Sequence, residues 1–374
     1  MGLYIHIPFC KSKCAYCDFY SLCDFSFAKQ YVEALDKQLR AWKDHARGSL
    51  CDTVYIGGGT PTAIGEELLL SVIGSVKEHF SLSDHCEFTI EANPGTVDER
   101  ALSNYRQAGV NRISFGVQSM DDRVLSRIGR IHSAREAREA ILMAHSAGFE
   151  NISADLMFSL PDQTVDDLLS SIEALSSLPL RHVSMYGLKV EENTPFGRDP
   201  QLVLPDEDEQ CDMYLEGVKA LKSHGFFQYE ISNFSFSGYE SRHNLKYWQR
   251  APYLGFGCAA HSFFEGQRFF VPRSIDAFCS CEDFSRDGAL YRYTSLSKAD
   301  EEKEEVMLSL RTTRGIKTKT LLGYCAEKQE DAKRYLLALE GHEYAAFSGE
   351  RFYLTPRGML VSNTIICQLL CFME

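Results

Sequence analysis

Cys10, Cys14 and Cys17 stand in the run Ile7-Pro-Phe-Cys-Lys-Ser-Lys-Cys-Ala-Tyr-Cys-Asp-Phe19, and their CxxxCxxC spacing supplies three thiolates on one short loop. A structural zinc needs four protein ligands to close its tetrahedron, whereas an iron-sulfur cube held by three thiolates leaves one iron open to an exchangeable ligand. The spacing therefore points to a [4Fe-4S] cluster with chemistry at its open iron. The rival reading is a zinc knuckle that recruits Cys23 or His6 as fourth ligand, and the bland one is three unrelated buried thiols.

A second group of residues recurs at the ends of apolar runs. Gly57-Gly-Gly-Thr-Pro61 follows one such run, Glu91-Ala-Asn-Pro94 ends the next, Gln118 ends another and Asp155 lies within the fifth. Three successive glycines let a backbone approach a ligand and offer it amide groups. The Lys-Ser/Thr of a phosphate loop is missing, so this is not a nucleotide-phosphate cradle. Taken singly, each carboxylate or amide is more often satisfied locally than bound to a ligand.

The elements that must position these residues are strand-like runs over 3–7, 53–56, 87–91, 112–117, 152–158 and 182–188, separated by amphipathic helical patterns. Ser133 and Glu136 form a capping box with Gly148 closing the helix, and Thr164 with Asp167 opens the next, which ends by Pro179. Regular strand-helix alternation predicts an α/β fold with a parallel sheet, and six units predict a partial (β/α)6 barrel rather than a closed eight-stranded one. In such folds chemistry sits beyond the carboxyl ends of the strands, where the residues above fall.

The periodicity changes after residue 264. The spacing predicts a core over 1–264, a connecting segment over 265–297 without clear regular structure, and a smaller module over 298–374. The last holds helices at 298–311, 318–327 and 330–339, a hairpin over 344–354, and a helix with Thr355 as N-cap and Pro356 at its first position. Helices followed by a hairpin predict a winged-helix-like module with a protein-contact or lid role.

With 374 residues, 44% of them hydrophobic, the chain has ample material for a large core. A net charge of −13 with dispersed basic residues argues against nucleic acid as a partner. Asp206-Glu-Asp-Glu209 reads as helix N-terminal charge. Thirteen cysteines without disulfide rhythm, and no apolar leader before the first strand, predict a reducing, cytoplasmic setting. No apolar stretch reaches the length of a transmembrane segment. Peripheral contact with an inner membrane stays open.

The cysteine spacing, Tyr16 beside the last cysteine, the preceding strand and the glycine run together resemble the radical S-adenosylmethionine (SAM) superfamily. Over nearly its whole length the chain resembles the family of oxygen-independent coproporphyrinogen III oxidases and HemW-type haem chaperones. The motifs are YIHIPFC, GGGTPT, IEANP, FGVQSM, RIGRIHS and DLMFSLPDQT. By that resemblance Tyr4, Tyr16, Gly58, Gly59, Thr60, Glu91, Gln118, Arg130 and Asp155 bind SAM, and Cys10, Cys14 and Cys17 hold the cluster.

Two features discriminate within the family. The oxidase has a fourth cysteine two residues after the third; here that position is Phe19, as in the chaperones. Arg242-His-Asn-Leu-Lys-Tyr-Trp248 resembles the HNxxxW signature of the chaperones, followed by Tyr253-Leu-Gly-Phe-Gly and Ala260-His-Ser262. His243 offers a neutral imidazole for haem iron, and Tyr247, Trp248 and Phe256 offer flat apolar surface. His261 and Cys258 are alternative ligands. The bland readings are a His-Asn pair capping a turn and a core aromatic segment; Cys279 and Cys281 read as ordinary thiols. The resemblance implies a chaperone that binds haem, the cluster and SAM and passes haem to acceptor apo-proteins, membrane-bound respiratory enzymes among them. The alternative is a radical SAM oxidoreductase of the coproporphyrinogen oxidase type, in which SAM cleavage at the open iron yields a radical that abstracts hydrogen.

Overall fold

The computed structural model describes residues 1–374. Strands and helices alternate as β1 (Gly2–Ile7), α1 (Ala28–Trp42), β2 (Cys51–Gly58), α2 (Glu66–His79), β3 (Leu82–Ala92), α3 (Glu99–Gln107), β4 (Arg112–Gln118), α4 (Asp122–Arg127), α5 (Ala134–Ser146), β5 (Asn151–Phe158), α6 (Val165–Ser176) and β6 (His182–Gly187). β1 to β6 pair in chain order and in parallel, which gives the six-unit partial barrel that the alternation predicts. Capping boxes at Ser133–Glu136 and Thr164–Asp167 start α5 and α6 by satisfying free backbone amides reciprocally.

The sheet continues past both ends of this core. After α7 (Glu207–Ser223), started by an Asp206–Glu209 capping box, come β7 (Phe227–Gln228) and β8 (Asn233–Ser235); β8 pairs antiparallel with β6, and β7 pairs antiparallel with β8 at the sheet edge. The short helix α8 (Arg242–Trp248) leads to β9 (Tyr253–Phe256), which pairs in parallel with β1. β10 (His261–Phe264), β11 (Gln267–Phe270), α9 (Ile275–Cys279) and β12 (Arg292–Thr294) follow, and the three strands extend the sheet as an antiparallel meander. The stretch 265–297 is therefore not irregular as expected. Its strands are three or four residues long and draw their hydrogen bonds from neighbours, so no local periodicity announces them.

The C-terminal part holds α10 (Lys298–Ser309), β13 (Ile316–Lys317), α11 (Thr318–Tyr324), α12 (Gln329–Gly341), β14 (Ala345–Ser348), β15 (Arg351–Leu354), α13 (Pro356–Leu360) and α14 (Ser362–Phe372). Its sheet has the order β13-β15-β14. Thr355 caps α13 by accepting from Gly358 N, with Pro356 at the first helical position. One continuous apolar core joins Val306, Leu321 and Phe352 of this part to the barrel's packing, so it is docked rather than tethered. No helix is long and apolar enough to cross a membrane.

The barrel lumen is polar. Tyr4, Tyr55, Thr89 and Arg112 pair laterally across β1 to β4 and so share one layer and one face. Glu91 and Ser114 form the layer above, and Gly116 pairs with Asp155 nearer the rim.

Candidate cluster and cofactor site

The loop after β1 is closed at its base, where Cys10 N donates to Leu22 O at 2.9 Å and Leu22 N donates to Pro8 O at 2.8 Å. Between those bonds Cys10, Cys14, Tyr16 and Cys17 turn toward an open cavity of about 120 Å3 at the carboxyl ends of the strands. The three sulfurs share that cavity without closing around one ion-sized point. Each thiolate of a cube takes its own iron, so three sulfurs spaced around a cavity are what a four-iron cluster uses. Of the zinc alternatives, His6 has both ring nitrogens engaged, Nδ1 with the Tyr4 hydroxyl at 3.0 Å and Nε2 with Tyr20 O at 3.1 Å. Cys23 is exposed, beyond the closing bonds.

The glycine loop lies against the cluster loop. Gly59 N donates to Ile7 O and Thr60 N to Phe9 O. Gly58 has φ +115°, and a Cβ there would stand 2.5 Å from the His6 ring, so a side chain is excluded both by conformation and by space. Its amide donates to Glu91 Oε2 at 3.0 Å, and Tyr55 donates to Glu91 Oε1 at 2.7 Å. Burial pushes the Glu91 carboxyl up to about 7, against the pull of these two donors.

On the opposite wall Arg130 donates to Gly116 O, to Asn93 Oδ1 at 2.8 Å and to the Cys14 sulfur at 3.4 Å, while its Nε has no partner. A guanidinium set against the Cys14 sulfur, with a free donor, fits a site for a cluster with an anionic moiety beside it. A Cβ at Gly116 would meet Asn93 at 2.5 Å and Arg130 at 3.2 Å, so glycine is what lets the arginine in. Gln118 sits at φ +72° beside a register shift between β4 and β5, and its amide oxygen accepts from Tyr186 at 3.0 Å. A non-glycine residue held in that region is strain of the kind that gathers at functional sites. Ser114 donates to Asp155 at 3.3 Å, and burial raises the Asp155 carboxyl.

Cys10, Cys14, Cys17, Tyr16, Gly58, Gly59, Thr60, Glu91, Gln118, Arg130 and Asp155 thus line one cavity. Tyr4 is set apart, deeper in the lumen, with its ring 6.2 Å from Tyr55. Asn93 and Tyr186 were not singled out in the sequence. Asn93, which also donates to Thr60 at 2.9 Å, lies in the IEANP motif, and Tyr186 lies at the carboxyl end of β6, so position in the fold was the available signal for both.

The residues expected to meet haem separate. His243 is fully buried beneath the cavity of the cluster loop, with Nδ1 bonded to Thr53 at 2.9 Å and Nε2 to Tyr247 at 2.8 Å. Both nitrogens are occupied, and burial followed by the charges of Lys246 and Arg112 depresses the imidazole to about 3. In this arrangement it has no lone pair to give to iron. Phe256 is buried against Phe80, and Cys258 is buried with its thiol pushed up to about 12; neither offers a surface or a ligand. Trp248 lines a cavity of about 600 Å3 between α8 and the C-terminal part. His261 is exposed, stacks on Phe270 at 5.1 Å, and lines a neighbouring cavity of about 480 Å3 walled by Tyr253, Phe263, Phe269 and Phe270.

Residues 4–175 match the model of the radical SAM superfamily, and residues 296–361 match the HemN C-terminal domain. The chain is 35% identical to the haem chaperone HemW of Bacillus subtilis, with 97% of each chain covered. It is 32% identical to HemW of Haemophilus influenzae, with 98% of this chain and 97% of that one covered. Against HemW of Escherichia coli it is 40% identical, over 70% of this chain and 69% of that one. The solved structure of coproporphyrinogen III oxidase (HemN) from Escherichia coli superposes with a TM-score of 0.84 at 20% identity, covering 99% of this chain and 89% of that one. That superposition fixes the fold. Similarity to the chaperones over nearly the whole chain, joined to a three-cysteine loop facing a polar cavity, places this chain in the HemW family of haem chaperones within the radical SAM superfamily.

Proposed function

We propose that this chain binds haem and hands it to acceptor apo-proteins, respiratory enzymes among them, from a cytoplasmic position that includes peripheral contact with a membrane. The observation that carries the reading is the 35% identity to a haem chaperone over 97% of both chains. Phe19, 67% exposed, supports it from the site, because it stands where the oxidase carries a further cysteine.

Cys10, Cys14 and Cys17 hold a [4Fe-4S] cluster, which supplies one open iron and one-electron chemistry when bound. Gly58 to Thr60, Glu91, Gln118, Arg130 and Asp155 bind SAM beside it. Arg130 sets a positive charge against the Cys14 sulfur, and Glu91 and Asp155 set negative charge where a cationic ligand would rest. For haem, His261 is the axial ligand the geometry favours. Partial enclosure of the ring against Phe270, with the charges of Arg273 and Arg268, holds its imidazole below the usual range, so it is neutral near pH 7, and it lines an aromatic-walled cavity. Trp248 contributes a flat face one cavity away.

The second reading, SAM-dependent oxidation of a porphyrinogen, draws on the completeness of the SAM-type cavity. Anaerobically reconstituted protein distinguishes the two. The carrier reading expects about one haem per chain and no SAM-dependent conversion of coproporphyrinogen III; turnover would establish the oxidase, and failure to take up haem would remove the carrier.

A further inference from the structure

His243 is sealed into the lumen from below. The carboxylate of Glu87, on β3, accepts from the backbone amides of Arg242 at 3.0 Å and His243 at 2.9 Å, so it caps α8 from across the barrel. Thr53 and Tyr247 then fix the two ring nitrogens. Held this way, the imidazole lies 5.3 Å from the Tyr55 ring at an interplanar angle of 30°. Tyr4 closes the group, its ring 6.4 Å from His243 and 6.2 Å from Tyr55.

The Tyr55 hydroxyl is the next link. It donates to Glu91 Oε1, and the other Glu91 oxygen accepts from Gly58 N in the glycine loop. An unbroken set of contacts thus runs from α8, through the lumen, to the backbone that faces the cofactor cavity. Each link is a rigid ring or a bond to a carboxylate, and bonds to charged groups are the strong class.

We propose that His243 and Tyr55 are positioning residues for SAM: the His243 ring fixes the Tyr55 ring, and the Tyr55 hydroxyl fixes the Glu91 carboxylate against the glycine loop. The proposal rests on reading the cavity beside Cys10, Cys14 and Cys17 as a SAM site. It gives the histidine of the HNxxxW helix a role that needs no free nitrogen.

Ionised Glu91 accepts from both donors more strongly than the neutral carboxyl does. Asp155 and Arg112 face it from β5 and β4, Tyr4 from β1 and Tyr247 from α8, and its carboxyl titrates at about 7. SAM affinity should therefore fall as pH drops through that value. Tyr55 lowers the Glu91 value by donating to the charged form, so removing the hydroxyl should move the midpoint to higher pH. A residue that only filled space would leave the midpoint where it is.

The test is SAM binding by anaerobically reconstituted protein of matched iron content, measured from pH 5.5 to 8.5. Tyr55→Phe should raise the Kd about tenfold, the effect of one lost bond to a charged group, and shift the pH midpoint upward. His243→Ala should weaken SAM binding by a similar factor, whereas His243→Phe, which keeps a ring against Tyr55, should stay within about threefold of the parent. Unchanged affinity and midpoint in Tyr55→Phe would overturn the proposal even if the His243 variants failed to fold. His243→Phe binding as poorly as His243→Ala would overturn the ring's part in it. A parent protein that binds no SAM would instead overturn the SAM reading of the cavity, which is a separate failure.

Discussion

Glu304 on α10 accepts from Arg250 Nε at 2.8 Å, and Arg250 stands two residues beyond Trp248, at φ +51°. The same carboxylate pairs with Arg268 of β11, and the two guanidinium groups lie over Phe263 at 5.7 and 5.5 Å from its centroid. The C-terminal part is therefore pinned to the segment that carries Trp248 by one carboxylate shared between two cations. The Glu304 side chain is only 12% exposed, so this is a desolvated pair rather than a surface one.

Removing that carboxylate leaves Arg268 without an acidic partner and Arg250 with only the more distant Glu301, at 3.6 Å. Glu304→Gln should cost about 1–3 kcal/mol of unfolding free energy, below the full range for a buried pair because Arg250 keeps a partner and Arg268 is partly exposed. Denaturant unfolding measures the loss, and limited proteolysis should show faster cleavage between residues 282 and 297. Unaltered stability together with unaltered cleavage would show that the apolar core alone holds the two parts together.

Cys10→Ala, Cys14→Ala and Cys17→Ala should each abolish the roughly four irons expected per chain after anaerobic reconstitution, while Cys23→Ala keeps them. Iron and sulfide analysis with the visible spectrum decides it. Loss of metal in Cys23→Ala alone would bring back the zinc reading.

His261→Ala should shift the Soret band and weaken haem binding at least tenfold, because removal of an axial ligand changes both coordination and affinity. His243→Phe, whose parent nitrogens are both hydrogen-bonded inside the lumen, should leave the Soret position alone. The opposite pattern would mean that α8 opens to admit iron.

Glu230, between β7 and β8, is fully buried, with Oε1 lacking a partner and its carboxyl pushed up to about 7 by burial. The unfolded chain ionises this group at ordinary carboxylate pH, near 4.3. The folded state holds the proton longer, so ionisation costs stability progressively as pH rises from about 4.5 to 7 and by a constant amount above. Glu230→Gln should therefore stabilise the protein at pH 8 by on the order of 1–3 kcal/mol and have little effect at pH 4.5. Equal unfolding midpoints for parent and variant at pH 8 would count against it.

The sequence announces what is local or repeated. Ile113, Phe115 and Val117 are buried within β4, and such dense apolar runs between capping boxes make β1 to β6 and their helices legible. The cysteine loop is legible because its ligands are only three and four residues apart. Contacts between distant segments are not. Glu87 caps α8 from 156 residues away, so nothing near His243 signals that its ring will be enclosed, and an exposed haem ligand was the natural expectation. Tyr55 meets Glu91 across 36 residues, and only the register of β2 with β3 sets Glu91 one layer above Tyr55 on the same face. β11 and β12 become strands through their neighbours, which is why no local pattern marks them in the stretch 265–297.

Strand β1 has a consequence for the order in which the molecule is made. It is flanked by β2 on one side and by β9 on the other, where Gly2 pairs with Tyr253. β1 thus waits for a partner synthesised some 250 residues later, roughly 12–50 s at ~5–20 residues per second. Through that interval one edge of β1 is unpaired, and the cysteine loop hangs from a half-built strand. On the proposed cluster reading, iron delivery to Cys10, Cys14 and Cys17 belongs after synthesis of the barrel rather than during it, although these residues are translated before the rest of it.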